Sequence, residues 1–123
     1  MPNMDTLRAN AHSDIIDRAW SLKQIGGDEE LFGDIARVFL IDSPNLRQQL
    51  EADMATGNAE AVRHTAHSIR SAVGNFGAKQ AMTAAQALEI AAKTGEQARL
   101  PKLAEALQQE LLAVEHALRP FAS

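Results

Sequence analysis

The sequence predicts an all-α protein: an antiparallel up-and-down four-helix bundle preceded by a short extra N-terminal helix. Three observations carry this expectation. Ala, Leu, Gln and Glu dominate, whereas alternating Val/Ile/Thr runs closed by Asn-Gly or Asp-Gly turns do not occur. Glycine, proline and capping residues fall at helix-length intervals. Between them, apolar residues recur at spacings of four and three. With 123 residues, 46% of them apolar, the chain suits one domain and can build a core without metals or disulfides.

Residues 1–12 are polar and irregular and read as a flexible tail, with the bundle domain spanning 13–119. A first helix fits Asp14 to Ile25, with Ile15, Ala19, Trp20 and Leu22 on one side. Gly26-Gly27 stops it, and Asp28 caps the next helix, with Glu29 and Glu30 in the first turn complementing the helix dipole. Helix two carries Leu31, Ile35, Val38 and Phe39 as its expected apolar face. Asp42-Ser43-Pro44 interrupts it, because proline costs an interior helix about 3 kcal/mol. Either Ser43 caps a new segment or the helix continues with a kink; the kinked continuation is the favoured reading. Thr56-Gly57-Asn58 makes the next break. Helix three follows over about Ala59 to Phe76, ending at Gly77, and helix four over about Ala78 to Lys93, ending at Thr94-Gly95. The last helix runs from about Arg99 to Leu118, with Pro101 in its first turn and Leu103, Leu107, Leu111, Val114 and Leu118 as its seam. Short loops between long amphipathic helices make neighbours antiparallel.

Composition narrows the function. Without cysteine, the chain has no disulfide framework, thiolate zinc site or cysteine nucleophile. No apolar run approaches the roughly 20 residues of a membrane span. Met1 to Asn10 holds no apolar stretch of the kind a secretory signal carries, and a cytoplasmic location is expected. A net charge of −4 and an aromatic content of 4% argue against nucleic acid, whose binding draws on Lys, Arg and stacking rings.

Helix three is the most informative element. Val62, Ala66, Ile69, Val73 and Phe76 are spaced 4, 3, 4, 3, the inward seam of a bundle helix. At about 100° per residue, His67 lies about 140° from the centre of that seam and faces solvent. Arg63, Arg70, Ser71 and Gly74 share its stripe, two of them cationic and two small. Gly74 is unexpected, because glycine inside a helix costs about 1 kcal/mol relative to alanine. Close approach of another surface is one reason to keep it. An exposed imidazole flanked by positive charge suits a group that carries an anion on nitrogen.

The string Ala66-His67-Ser68-Ile69-Arg70-Ser71-Ala72-Val73-Gly74-Asn75-Phe76-Gly77-Ala78 resembles the signature of histidine phosphotransfer (Hpt) domains, roughly A-H-x-[LI]-K-G-[SA]-x-x-x-[LF]-G-A. His67 falls on the phosphorylated histidine, and Ile69, Ala72, Phe76, Gly77 and Ala78 match. The resemblance extends to Gly26-Gly27-Asp28-Glu29-Glu30-Leu31, to Phe39 and to Ala87-Leu88-Glu89, and it covers roughly residues 14–118. Two positions depart: the family lysine is Arg70 here, and the glycine after it is Ser71. Arg70 keeps the charge but presents a planar fork in place of a compact ammonium. Ser71 stays small and adds a hydroxyl able to bond a phosphoryl oxygen.

The resemblance implies a phosphocarrier and not an enzyme. His67 would take a phosphoryl group from a receiver-domain aspartyl phosphate or a sensor (hybrid) histidine kinase and pass it to a response-regulator receiver domain. Mg²⁺ is expected on the partner receiver, with no cofactor on this chain. By the same resemblance, Glu89 lies across from His67 and accepts a hydrogen bond from the ring nitrogen that is not phosphorylated, and Arg70 and Ser71 complete the site. An exposed acid without a role is the competing reading of Glu89. A monomer is expected, since the histidine has to stay accessible.

Two rival functions come from other classes. His64 and His67, one helical turn apart, raise a metal site, but the Glu-x-x-His pairs of di-iron bundles are missing: Ala61 precedes His64 by three residues and His64 precedes His67. The other rival is a non-phosphorylated helical adaptor that docks on a receiver or kinase domain.

Overall fold

The structure, a computed structural model, describes residues 15–122. Five α-helices follow in order: α1 (Arg18–Gln24), α2 (Glu29–Thr56), α3 (Ala59–Gly74), α4 (Lys79–Lys93) and α5 (Leu100–Leu118). Single 3-10 turns at Gln97–Arg99 and Arg119–Phe121 flank α5. Each long helix packs on its sequence neighbours, and α2 closes the ring against α5. The fold is the all-α, four-helix bundle with a short N-terminal helix, and no strand occurs among the described residues. The expected tail, residues 1–12, and the expected helix start at Asp14 lie outside the described residues.

The termini of these helices follow local chemistry. Asp28 accepts a hydrogen bond from the Leu31 amide at 2.9 Å and Asn58 one from Ala61 at 3.1 Å, so α2 and α3 both begin on side-chain caps. Gly26 and Gly27 take φ of +71° and +78°, where a Cβ would be strained. Ile16 and Asp17 are not helical, so the expected continuous helix does not run through them; α1 begins at Arg18 because Asp17 is its cap and accepts from the Trp20 amide at 2.9 Å. Helix α2 runs through Pro44 as one continuous element, so Ser43 does not cap a new segment.

The core confirms the seams of α3 and α5 and corrects that of α2. Val62, Ala66, Ile69, Val73 and Phe76 are all buried, as are Leu107, Leu111, Val114 and Leu118, while Leu103 is half-buried at the edge of the core. On α2 the buried line is Phe32, Ala36, Phe39, Ser43 and Leu50, whereas Leu31 and Val38 are exposed. Phe39 is buried as expected, but at the start of the helix Phe32 and not Leu31 turns inward, where its ring meets Phe76 and Phe121. The Phe76 ring meets Phe32 edge-on at 6.0 Å and Phe39 at 5.4 Å. Trp20, expected among the apolar residues of α1, is 42% exposed; the buried position of that helix is Ser21.

Helix α1 fastens the turn that ends α3. The Asp17 amide donates to the Phe76 carbonyl at 2.8 Å, and the Ser21 hydroxyl to that of Asn75 at 2.7 Å. Gly77, at φ +59°, lies under this contact: a Cβ there would sit 2.8 Å from Asp17 Cβ and 3.2 Å from the Trp20 ring. Close backbone approach and a left-handed turn coincide at that glycine, so the C-terminal end of α3 is held from outside as well as from the core.

Two buried polar clusters tie the helices in register. Glu115 of α5 accepts from Ser43 Oγ and Arg47 Nε of α2, each at 2.8 Å. Asp53 of α2 accepts from Thr65 of α3 at 2.5 Å and from Gln49 at 2.8 Å. Buried carboxylates are tolerated because these partners replace water.

Candidate functional site

Helix α4 presents Ala81, Ala85, Ala91 and Ala92 to the core, and α3 answers with Ala66. Small side chains let two helices approach closely, so polar residues on the outer shoulders of both come within hydrogen-bonding reach. The site lies on that shoulder. His67 projects from α3 with its side chain 52% exposed, and Glu89 reaches it from α4 with its own side chain largely covered, at 16%.

The contact is short: Glu89 Oε1 lies 2.9 Å from His67 Nδ1. Arg70 Nη2 lies 3.2 Å from the same nitrogen, and Arg70 Nε lies 3.5 Å from Glu89 Oε2. Both groups cannot bond one ring nitrogen in one tautomer. The carboxylate can only accept, and its contact is the shorter, so Nδ1 carries the proton and donates to Glu89. Arg70 then acts as a neighbouring charge and not as a donor to the ring. Nε2 is left with the lone pair and has no hydrogen-bond partner among the described residues. Glu89 Oε2 is shielded from solvent without a hydrogen bond, and its 3.5 Å contact with Arg70 is a loose ion pair.

Of the residues singled out by sequence, the structure brings His67, Arg70 and Glu89 together. Ser71 is exposed one position along α3, and its hydroxyl makes no hydrogen bond with a described residue. Arg63, expected on the same stripe, is engaged a turn away by Glu60, with Nε to Oε2 at 3.1 Å. The guanidinium holds the Glu60 carboxyl below its ordinary range, and Glu60 raises Arg63 in return. Gly74 proves to be the last residue of α3 and not an interior one. A Cβ there would meet only the Met82 side chain, at an ordinary 3.7 Å, so packing within the chain does not require glycine. Among the described residues, no three His, Cys, Asp or Glu side chains converge to hold a metal ion.

Sequence reasoning missed the other wall of the site. An open groove of about 520 Å³ runs between α3 and α4, with Arg70, Ser71 and Gly74 on one side and Lys79, Met82, Thr83 and Gln86 on the other. The signal was present: residues 79, 83 and 86 are spaced 4 and 3, a polar stripe on one face of α4. Opposite it, between α2 and α3, the surface is apolar, with Ile35, Val38, Leu46 and Ala72 around a shallow recess.

Comparison with known proteins agrees with this architecture. Residues 34–117 match the family model described as Hpt domain. The fold is similar to the crystal structure of histidine-containing phosphotransfer protein B from Pseudomonas aeruginosa PAO1, with a TM-score of 0.79 and 28% identity over 86% of this chain and 92% of that one. No curated protein matches the sequence significantly. No described helix is long and apolar enough to cross a membrane. On the family match, the shared bundle and its 28% identity, the chain belongs to the Hpt domain family, the histidine phosphotransfer carriers of phosphorelays.

Proposed function

We propose that His67 is the phosphoacceptor and that its Nε2 takes the phosphoryl group from an aspartyl phosphate on a receiver domain, or from a sensor kinase, and returns it to a second receiver. The observation that carries this reading is the Nδ1–Glu89 contact, which leaves the Nε2 lone pair unoccupied on a half-exposed ring. In the forward step Nε2 attacks phosphorus, the bond from phosphorus to the aspartyl oxygen breaks, and the aspartate leaves as a carboxylate. The ring gains positive charge as the nitrogen–phosphorus bond forms, and the Glu89 carboxylate stabilises it through Nδ1–H. Return transfer reverses these bonds with the second aspartate as nucleophile.

Arg70 supports the product. Phosphorylation adds nearly two negative charges one helical turn from it. Its loose pairing with Glu89 leaves the guanidinium able to turn toward a phosphoryl oxygen. The Ser71 hydroxyl is a second donor on the same side. Mg²⁺ belongs to the partner receiver in this reading, and this chain supplies nucleophile, positioning carboxylate and cation.

Incubation with phosphorylated receivers tests the reading. The parent protein should acquire acid-labile phosphate. His67→Ala should fold normally and acquire none, and His64→Ala should keep transfer. Loss of transfer in the His64 variant, with retention in the His67 variant, would move the acceptor by one turn. A parent chain that takes phosphate from no receiver, no sensor kinase and no small-molecule phosphodonor would leave the adaptor in its place.

A further inference from the structure

We infer that the α3–α4 groove is a docking surface for an acidic segment on the rim of the phosphorylated partner domain, and that Lys79, Thr83 and Gln86 select the partner. This rests on the phosphocarrier reading and extends it from the nucleophile to the surface beside it. Arg70 belongs to both: Nη2 stands 3.2 Å from His67 Nδ1, and the same side chain lines the groove. Any domain that brings a phosphoryl group to His67 therefore covers the groove's inner end.

Charge identifies the occupant. The chain as a whole is acidic, at −4, yet this groove carries two cations, Arg70 and Lys79, with Ser71, Thr83 and Gln86 as neutral donors. Lys79 forms no ion pair among the described residues. It also stands in the first turn of α4, where a cation opposes the helix dipole. Its charge thus faces outward without serving its own helix. Gly74 keeps the groove floor low although packing within the chain accepts a Cβ there. A groove that carries two cations and neutral donors around the Met82 side chain fits an extended acidic segment; the recess on the α2 side of α3, which holds Asp42 and no cation, does not.

Lys102 is a matched control. It is an exposed lysine in the first turn of α5 and lies outside the groove. Lys79→Glu and Lys102→Glu change net charge equally, and each places an acid at a helix start, where it favours folding. Two donors are compared: phosphoramidate, which needs only the histidine, and a phosphorylated receiver that exchanges with the parent, found by screening receivers of the same genome. With phosphoramidate the phosphorus–nitrogen bond of the donor breaks, ammonia leaves, and the phosphoryl group moves to His67.

The readout is the ratio of receiver to phosphoramidate rate. In Lys79→Glu and Gln86→Glu this ratio should fall about tenfold or more, and in Lys102→Glu it should stay within about twofold. The parent's receiver rate should also drop with salt more steeply than that of Lys79→Glu. An unchanged ratio in both groove variants, or an equal fall in Lys102→Glu, overturns the docking surface and leaves the phosphocarrier reading standing. Label from phosphoramidate but from no receiver also overturns it. Label from neither donor means that the phosphocarrier reading itself has failed.

Discussion

Glu89 Oε1 lies 2.9 Å from His67 Nδ1, and its other oxygen, shielded from water, faces Arg70 Nε at 3.5 Å. One carboxylate therefore sets the histidine tautomer and holds a cation beside it. Glu89→Gln retains an oxygen that accepts from Nδ1–H but loses the charge, so transfer should slow about 3- to 10-fold. Glu89→Ala removes both and should slow it further, since a charge-assisted hydrogen bond contributes about 1.5–3 kcal/mol and each 1.4 kcal/mol is tenfold in rate. Rapid-quench measurement of label arriving at His67 reads this. Equal rates in all three proteins would remove Glu89 from the site.

Arg70 and Arg63 are both arginines on the stripe of His67, but only Arg70 is turned toward it. Arg70→Ala should shorten the lifetime of the phosphorylated form about 3- to 10-fold, Arg70→Lys should stay near the parent, and Arg63→Ala should change little. Arg63 has a different consequence, visible in stability. Its pairing depresses the Glu60 carboxyl, so the contribution is present above the ordinary carboxylate value of 4.5 and is lost as pH falls through the lower native value. Both groups are exposed, so Glu60→Gln should lower Tm by about 2 °C at most near neutral pH and by nothing measurable in strong acid. Thermal melts across that range test the sign.

Glu115 is buried between Ser43 and Arg47, and its partners are unequal. Arg47→Met leaves a buried carboxylate without its cation and should cost about 2–4 kcal/mol. Ser43→Ala removes one neutral donor and should cost about 1–2 kcal/mol. Urea titrations should rank them in that order, with transfer at His67 retained in the folded fraction.

Gly77 and Gly74 should respond in opposite directions to alanine. Gly77→Ala forces a left-handed residue and a 2.8 Å contact with Asp17, and should cost about 2–3 kcal/mol while loosening α1. Gly74→Ala meets only the Met82 methyl and should leave stability within about 0.5 kcal/mol or raise it slightly. Denaturant melts of both variants, with Trp20 fluorescence reporting α1, check the contrast.

Among the described residues, helix order and most helix ends were legible in the residues themselves, because capping and breaking act within one turn. Asp28, Asn58, Gly26-Gly27 and Gly57 end or begin helices through their own side chains or dihedrals. The outward position of His67 was equally legible, since a 4, 3, 4, 3 seam fixes the angle of every other residue on a regular helix. The family motif placed Glu89 opposite His67, but the 2.9 Å approach depends on how closely α3 and α4 pack. Periodicity failed on α2, where Leu31 and Phe32 are adjacent and both apolar, and where a serine, Ser43, occupies the core by bonding to Glu115, 72 residues away. Pattern along one helix cannot show which of two neighbouring stripes faces inward when the deciding partners lie on other helices. Tertiary structure alone joined Arg70 to Glu89 and set Lys79, Thr83 and Gln86 across from Ser71 and Gly74, because those relations depend on the separation and rotation of two packed helices.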